Sequence, residues 1–357
     1  MFISAVLLPA AHARRHCIAA AVTVAVLLIC GATRLAFAPS AVEPVLRATC
    51  LLRVVDAEPL LPEPVLWERT AARIAAGDDI VLWSETAVTV LGQDGERALL
   101  HRAAQYAANG TAYLGITYEV QPPAGPPARP SQHLNVFALL RPGHGDAVNS
   151  SHGALAFRYV KKHPVPVVEG DFAAGTSSLQ FEEAPWGRTS AAICFDSDFP
   201  AALRVAGRHD TAFLLQTSQT WGARWFRERH AHGNALHAIE NGYTLLRCGS
   251  DGVAGVFDAY GRTLAWAATG SEGSVALPFP RPAATRTLYA HAGGWLFGWA
   301  CLACTVLAAL AAALPEHRIA QLVPPGWRRT APLSPSSAAG AEKDTQLAVQ
   351  SHEREEA

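Results

Sequence analysis

The chain has 357 residues, a formal net charge of −1 and 50% hydrophobic residues. This length can bury one large core or two small ones, and the near-neutral charge gives no reason to expect a nucleic acid as partner. The seven cysteines show no spacing typical of metal ligands, and we expect neither a metal nor another cofactor.

Two long stretches without charged residues lie near the ends of the chain, at residues 17–32 and 293–314. A helix that crosses a bilayer needs about 20 apolar residues, and Trp295 and Trp299 stand near the start of the second stretch, as at a membrane interface. We therefore predict a transmembrane helix over 293–314 and a membrane anchor within residues 1–39.

The first stretch also fits a cleaved signal peptide, because Arg14 and Arg15 precede it and residues 36–38 (AFA) resemble a cleavage site. Under either interpretation, the residues after this stretch are exported. Since arginines favour the cytoplasmic side, the second stretch is expected to return the chain to the cytoplasm. The arginines beyond it are Arg318, Arg328 and Arg329. Residues 40–290 are then extracytoplasmic, and 315–357 form a mostly disordered cytoplasmic tail.

Strands and helices alternate along residues 40–290. Apolar runs predict strands, and apolar residues at helical spacing predict helices. The predicted elements are strand 48–55, helix 64–76, strand 79–83, helix 96–108, strands 112–120, 133–140, 154–159 and 190–193, helix 200–206, strand 211–216, helix 223–241, strand 243–247 and a hairpin around 258–261. This order predicts a layered α/β sheet fold.

Three chemically reactive side chains directly follow predicted strands: Glu85, Lys161 and Cys194. Strand ends on one edge of a sheet converge, so a carboxylate could take the thiol proton while a lysine stabilises a carbonyl oxyanion. Each residue also has a purely structural interpretation. Cys194 fits a small buried side chain, Glu85 a turn cap, and Lys161 a solvated basic patch beside Lys162.

The motifs around these residues resemble a known family. Residues 83–87 (WSETA) resemble W-P-E-T-A, residues 159–169 (YVKKHPVPVVE) resemble Y-x-K-x-x-L-V-P-F-G-E, and residues 193–196 (ICFD) resemble I-C-Y-E. Further matches in the same order are Trp221, His230, residues 238–240 (AIE) and 245–247 (LLR), Gly252 and residues 258–261 (DAYG). The segment from about 45 to 290 thereby resembles the carbon-nitrogen hydrolase (nitrilase) superfamily, and within it the apolipoprotein N-acyltransferases.

That resemblance implies a fold and a set of roles. The fold would be a four-layered α-β-β-α sandwich, here with flanking transmembrane helices. Glu85 would be the general base, Lys161 the oxyanion-stabilising cation, Cys194 the nucleophile and Glu169 a second carboxylate that orients the others. The spacing from Tyr159 in the motif selects Lys161 rather than Lys162.

The resemblance also implies an activity. We expect a membrane-anchored enzyme that moves an acyl group from a phospholipid, through a thioester on Cys194, to an amine or lipoprotein acceptor. A membrane-anchored amidase and a catalytically silent interaction module are the alternatives. Trp221, Trp225 and Phe226 are candidates to line an apolar substrate entrance, although aromatic residues in a loop also serve ordinary packing. An exported domain could also join Cys50 to Cys248 in a disulfide, a pairing that the sequence leaves open.

Overall fold

The computed structural model describes residues 10–39, 45–52, 63–123, 132–144, 153–220, 223–250, 252–269 and 273–313. The chain divides into two compact units, Met1–Gly294 and Trp295–Ala357. Strands β1 to β13 all lie in the first unit and, with the helices packed on them, make up the central domain. The predicted tail at 315–357 lies outside the described residues.

Seven helices and thirteen strands are found in the described residues. The helices are α1 (Ala10–Ala36), α2 (Glu63–Ala75), α3 (Gly92–Ala108), α4 (Pro200–Arg208), α5 (Arg224–Asn241), α6 (Leu288–Ala292) and α7 (Gly294–Ala313). The strands are β1 (Val45–Leu51), β2 (Ile80–Trp83), β3 (Val88–Leu91), β4 (Tyr113–Gln121), β5 (Leu134–Leu140), β6 (Leu155–Val160), β7 (Phe181–Ala184), β8 (Gly187–Ile193), β9 (Phe213–Gln219), β10 (Thr244–Ser250), β11 (Gly252–Phe257), β12 (Thr263–Thr269) and β13 (Ser274–Pro280).

The strands form two sheets. The first sheet has the order β13-β1-β2-β4-β5-β6, with β3 paired to β4, and its strands β1, β2 and β4 are parallel. The second has the order β12-β11-β10-β9-β8-β7, with β8, β9 and β10 parallel. Because β4 and β6 are both antiparallel to β5, they run the same way, and the carboxyl ends of β2 and β6 meet one edge of the first sheet.

The layers follow from where the apolar side chains pack. One core lies between the two sheets and contains, among others, Phe137 of the first sheet and Leu246 of the second. A second core joins the other face of the first sheet to helices α2 and α3, with Trp67 and Trp83 in edge contact. Helix α5 packs on β10 and β11 of the second sheet, and α4 packs beside α5. The architecture is a mixed α/β sandwich of four layers, as the resemblance implied.

Local sequence sets the helix ends on the second sheet. Pro200 begins α4, at a position where its missing N–H costs no intrahelical hydrogen bond. Gly242 ends α5 with a positive φ of 77°, a backbone conformation that glycine adopts without a steric cost. Helix α4 therefore begins at residue 200 and helix α5 ends at residue 241, as predicted.

The two apolar ends of the chain are helical. The stretch at 17–32 lies within α1, and the stretch at 293–314 largely coincides with α7. Within the described residues, none of the helices combines the length and the apolar content that crossing a bilayer requires. The two membrane spans therefore stay predictions.

The two cysteines considered for a disulfide face the core between the sheets. Cys50 on β1 and Cys248 on β10 are both free and fully buried. The Cys50 Sγ lies 4.0 Å from the carbonyl oxygen of Arg247, and the Cys248 Sγ lies 3.4 Å from that of Leu82. The structure thus places both as reduced thiols near each other, without a disulfide.

Candidate active site

The three predicted reactive residues follow three strands, and their side chains meet between the sheets. Glu85 comes two residues after β2, Lys161 directly follows β6, and Cys194 directly follows β8. The Lys161 and Glu85 side chains are in direct contact, and Cys194 and Glu85 both contact the backbone of Gln219. The three strand ends therefore come together from two facing sheets, β2 and β6 from the first and β8 from the second, and not from one edge of a single sheet as the sequence analysis expected.

Lys161 lies between two carboxylates. Its Nζ is 2.8 Å from Oε1 of Glu85 and 2.7 and 2.8 Å from the two carboxylate oxygens of Glu169. Only 1% of Lys161 is exposed. Burial lowers the pKa of Lys161, but the charges of Glu85, of Cys194 once it is ionised, and of Glu169 raise it more, so its net pKa is raised and the ammonium is retained.

Two neutral groups hold the Glu85 carboxylate. The Asn135 side chain donates to Oε1 at 2.8 Å, and the backbone N–H of Gln219 donates to Oε2 at 2.7 Å. Glu85 is 3% exposed, so these bonds replace water around the carboxylate. Both oxygens are fixed in direction, which suits a base that must receive a proton at a defined place.

Cys194 stands at the sharp turn between β8 and a short 3₁₀ helix, Cys194–Asp198. Its φ of +41° is a conformation that residues other than glycine seldom adopt. The Ser218 hydroxyl donates to the Cys194 Sγ at 3.2 Å, and the thiol faces the carbonyl oxygen of Gln219 at 3.7 Å. Gln219 thus contacts Cys194 through its carbonyl and Glu85 through its N–H.

The Cys194 thiol is protonated in this resting arrangement. Burial, and after it the Glu85 carboxylate, raises the pKa of Cys194 to about 12, although Lys161 and Ser218 act in the opposite direction. A thiolate has to be generated by proton transfer, and the nearby Glu85 is a suitable acceptor.

The loop after β6 brings in the second carboxylate. The backbone N–H of Val165 donates to Oε2 of Glu169 at 2.6 Å, and the Glu169 N–H donates back to the Val165 carbonyl at 2.9 Å. Between them, Val167 has a positive φ of 69° and is 97% exposed. This closed turn fixes Glu169 against Lys161.

Asp196, two residues after the nucleophile, connects the turn to the lysine loop. Its carboxylate accepts from the Tyr159 hydroxyl at 2.8 Å and from the backbone N–H groups of His163 at 2.9 Å and Ile193 at 3.2 Å. The shorter aspartate therefore reaches both segments, in the place where the family motif has glutamate.

Of the three aromatic residues predicted to line a substrate entrance, the structure describes two. Trp221 lies outside the described residues. Trp225 and Phe226 lie in the first turn of α5 and are 69% and 42% exposed. They follow the end of β9, which carries Ser218 and Gln219.

Several site residues were given no role in the sequence analysis. Asn135, Ser218 and Gln219 contact Glu85 or Cys194, and Arg247 contacts Ser218. Ser218 and Gln219 are polar residues at the carboxyl end of a strand parallel to the nucleophile strand, a signal that could have marked them. In the described ranges, no group of three His, Cys, Asp or Glu residues has the arrangement of a metal site.

Relatives of the chain are found at the level of sequence, although no family model matches it. Apolipoprotein N-acyltransferases of Rhodopseudomonas palustris and Methylococcus capsulatus are each 26% identical over 239 residues, which is 60% of this chain and 42% and 43% of theirs. The corresponding protein of Gloeobacter violaceus is 33% identical over 132 residues, or 36% of this chain and 25% of its own length. The chain spans less than half the length of the first two.

The fold has counterparts among solved structures. An amidase from Nesterenkonia sp. superposes with a TM-score of 0.52 at 19% identity, over 68% of this chain and 94% of the amidase. Another structure of that amidase, described as a member of the nitrilase superfamily, has a TM-score of 0.52. A third, with a TM-score of 0.53, carries the acetamide moiety of fluoroacetamide on its active-site cysteine. The sequence relatives and the shared fold together support a carbon-nitrogen hydrolase-like central domain.

Proposed function

We propose that the chain is a membrane-anchored acyltransferase that moves an acyl group from a phospholipid to an amine through a thioester on Cys194. The observation that carries this proposal is the contact of Lys161 with Glu85 and Glu169, beside a cysteine that shares Gln219 with Glu85. The sequence relatives named as apolipoprotein N-acyltransferases support transfer to an amine rather than to water.

In the first half-reaction, Glu85 accepts the thiol proton and the Cys194 sulfur attacks the ester carbonyl of the phospholipid. The carbonyl oxygen becomes an oxyanion, which Lys161 stabilises at its ammonium group. Collapse of this intermediate breaks the ester bond. The lysophospholipid alcohol leaves with the proton held by Glu85, and the acyl group stays on sulfur as a thioester.

In the second half-reaction, the acceptor amine attacks the thioester carbonyl and gives a proton to Glu85. Lys161 again stabilises the oxyanion. The carbon–sulfur bond then breaks, the sulfur takes the proton back from Glu85, and an amide is released. Glu169 remains bound to Lys161 throughout and keeps the ammonium in place.

The membrane part of the proposal rests on the two ends of the chain. Helix α1 exposes Leu27, Leu28 and Ile29, which are 60%, 68% and 64% exposed, and Trp295 and Trp299 of α7 are exposed as well. Such side chains are stabilised when lipid covers them. With arginines before the first apolar stretch and after the second, the proposed orientation places 40–290 on the extracytoplasmic side and both tails in the cytoplasm.

The acyl-transfer test uses the full chain in detergent with phospholipid carrying a labelled acyl chain. We expect label on Cys194, detected by mass spectrometry, and its discharge as an amide when a lipopeptide amine is added. Cys194→Ala should carry no label. Absence of trapped label with the wild-type chain, under conditions where it is folded, would overturn the transfer proposal.

The alternative is an amidase, in which water takes the acyl group. The specific observation in its favour is the fold shared with amidases that bear an active-site cysteine. Steady release of ammonia from soluble amides, lost in Cys194→Ala and without label from phospholipid, would establish that activity instead. The same two assays therefore separate the two functions.

A further inference from the structure

Arg247 is a buried cation, and its hydrogen-bond partners among the described residues are all neutral. It lies in β10 and is 0% exposed. Its guanidinium donates to Oε1 of Gln216 at 3.0 Å, the Ser218 hydroxyl at 3.1 Å, the Thr220 hydroxyl at 2.6 Å and the carbonyl oxygen of Val253 at 3.2 Å. Within the described part of the chain, no carboxylate is in ion-pair contact with it.

A buried charge without a counter-ion is costly, so such a residue calls for an explanation. Burial lowers the pKa of Arg247, and the groups that act against this are first Cys194 and then Glu85. The anion with the largest effect on the pKa of Arg247 is therefore the Cys194 thiolate, which exists only after the thiol loses its proton.

A two-step hydrogen-bond path joins Arg247 to the nucleophile. The Ser218 hydroxyl accepts from Arg247 and donates its single proton to the Cys194 Sγ at 3.2 Å. Arg247 occupies the acceptor side of this hydroxyl and also donates to the Thr220 hydroxyl, which lies 3.4 Å from that of Ser218 and can give its own proton to it. This arrangement directs the Ser218 proton at sulfur. A hydroxyl polarised by a cation is also a stronger donor to an anion.

The strand register explains why these side chains meet. Arg247 pairs with Gln216 across the parallel strands β10 and β9. Ser218 follows Gln216 by two residues, so both point to the same face of the sheet. Gly249, two residues after Arg247, leaves room for this arrangement, since a Cβ added there would lie 2.6 Å from the Val253 carbonyl oxygen that accepts from Arg247 and 3.3 Å from the Arg247 Nε.

We propose that Arg247 is a positioning residue that stabilises the Cys194 thiolate through Ser218. This rests on the proposed function insofar as Cys194 is the nucleophile. In the step concerned, the thiol proton moves to Glu85, Ser218 keeps its own proton and donates it to the sulfur anion, and no covalent bond other than S–H breaks. Arg247 supplies the fixed positive charge that faces the new anion.

The test measures how fast iodoacetamide alkylates Cys194 in the full chain as a function of pH, with mass spectrometry to isolate that site. We expect Ser218→Ala and Arg247→Met each to displace the profile of alkylation rate against pH upward by about one pH unit, so that alkylation at neutral pH slows about tenfold. Arg247→Lys, which keeps the charge, should fall between Arg247→Met and the wild type. In the double variant the two shifts should not add, since both break one path.

The matched control is Thr217→Val. Thr217 neighbours Ser218 on the same strand and is fully buried, and its hydroxyl has no hydrogen-bond partner among the described residues, so the change is close to isosteric. It should leave the profile of alkylation rate against pH unchanged. Equal displacements of this profile in Thr217→Val and Ser218→Ala, or an undisplaced profile in folded Arg247→Met, would overturn the proposal.

If Arg247→Met fails to fold, Ser218→Ala still tests the hydrogen-bond path, because that change removes only one hydroxyl. The result is also independent of the labelled-phospholipid assay. Shifted alkylation without trapped acyl label would contradict the transfer function and leave the role of Arg247 intact. Trapped label with undisplaced rate profiles would contradict the role of Arg247 alone.

Discussion

The two sheets bring different balances of charge to Cys194. From the first sheet and the loop after β6, Glu85 and Glu169 surround the single ammonium of Lys161, which leaves one negative charge in excess. From the second sheet, Arg247 brings one positive charge with only neutral partners among the described residues. Transfer of the thiol proton from Cys194 to Glu85 removes the excess negative charge around Lys161. It also leaves a thiolate on Cys194, which gives Arg247 a negative partner.

This difference shows how a buried thiol can serve as a nucleophile although its resting pKa is raised to about 12. The resting state has unequal charge on the two sides, and proton transfer neutralises each side separately. The site therefore needs no permanently ionised cysteine. Substitutions that remove charge from one side alone test whether the two sides act in this way.

The largest effect is expected from Glu85→Gln. It removes the proton acceptor, so acylation of Cys194 by labelled phospholipid should slow by about 10²- to 10⁴-fold. Because Glu85 raises the pKa of Cys194, the same change should lower that pKa and make alkylation by iodoacetamide faster. Opposite signs in the two assays are the diagnostic result. Slower alkylation in Glu85→Gln would contradict the electrostatic argument.

Lys161→Ala comes next. Loss of one oxyanion donor typically slows the reaction by about 100-fold, and single-turnover acylation is the measurement. Lys162→Ala is the control, since Lys162 is the neighbouring lysine and the ammonium that contacts Glu85 and Glu169 belongs to Lys161. Equal losses in the two variants would mean that the ammonium of Lys161 does not face the reacting carbonyl.

The third prediction concerns the loss of folding stability at low pH. It involves His230, which lies behind the turn that carries Cys194. Burial, followed by the positive charge of Arg247, lowers the pKa of His230 to about 3 from its ordinary 6.5. The folded state therefore favours the neutral form of His230. The contribution of His230 to the free energy of unfolding is fully present above pH 6.5 and is lost as the pH falls towards 3, by up to about 1.4 kcal/mol per pH unit.

The groups that face His230 are Ser197 at 3.5 Å, Asp198 at 4.0 Å, and Arg247, His237 and Lys161 through their charges. Denaturant unfolding of the wild-type chain and His230→Gln at several pH values is the measurement. The variant should lose less stability on acidification. Parallel slopes for the two proteins would show that another group controls the acid limb.

Much of the central domain could be predicted from the sequence because its strands are continuous apolar runs. Strand β8 and helix α4 around Cys194 lie where the pattern indicates. The pattern did not reveal β13, which closes the first sheet beside β1, because two prolines interrupt its sequence. Strands β3 and β7 were also missed, because each is partly exposed and so lacks the continuous apolar run that marks the equally short β2.

The site was predictable where a residue type carries its own chemistry and follows a strand, as Glu85, Lys161 and Cys194 do. The contacts that join them were not. Gln219 acts through its backbone N–H and carbonyl, which no side-chain pattern reports. The link from Arg247 to Cys194 depends on the register between β9 and β10, and single-sequence periodicity does not fix register.

The smallest effect is expected at the rim of the site, at Trp225. This side chain is 69% exposed in the first turn of α5 and lies 6.0 Å from Phe226, measured between ring centroids. If the two rings receive an acyl chain, Trp225→Ala should raise KM for phospholipid about fivefold, equivalent to about 1 kcal/mol, and leave kcat unchanged. Leu236→Ala is the control, because Leu236 lies on the same helix and is 54% exposed. A change in kcat for Trp225→Ala would mean that this side chain acts on the chemical step, whereas equal KM values for Trp225→Ala, Leu236→Ala and the wild type would place the acyl entrance elsewhere on the domain.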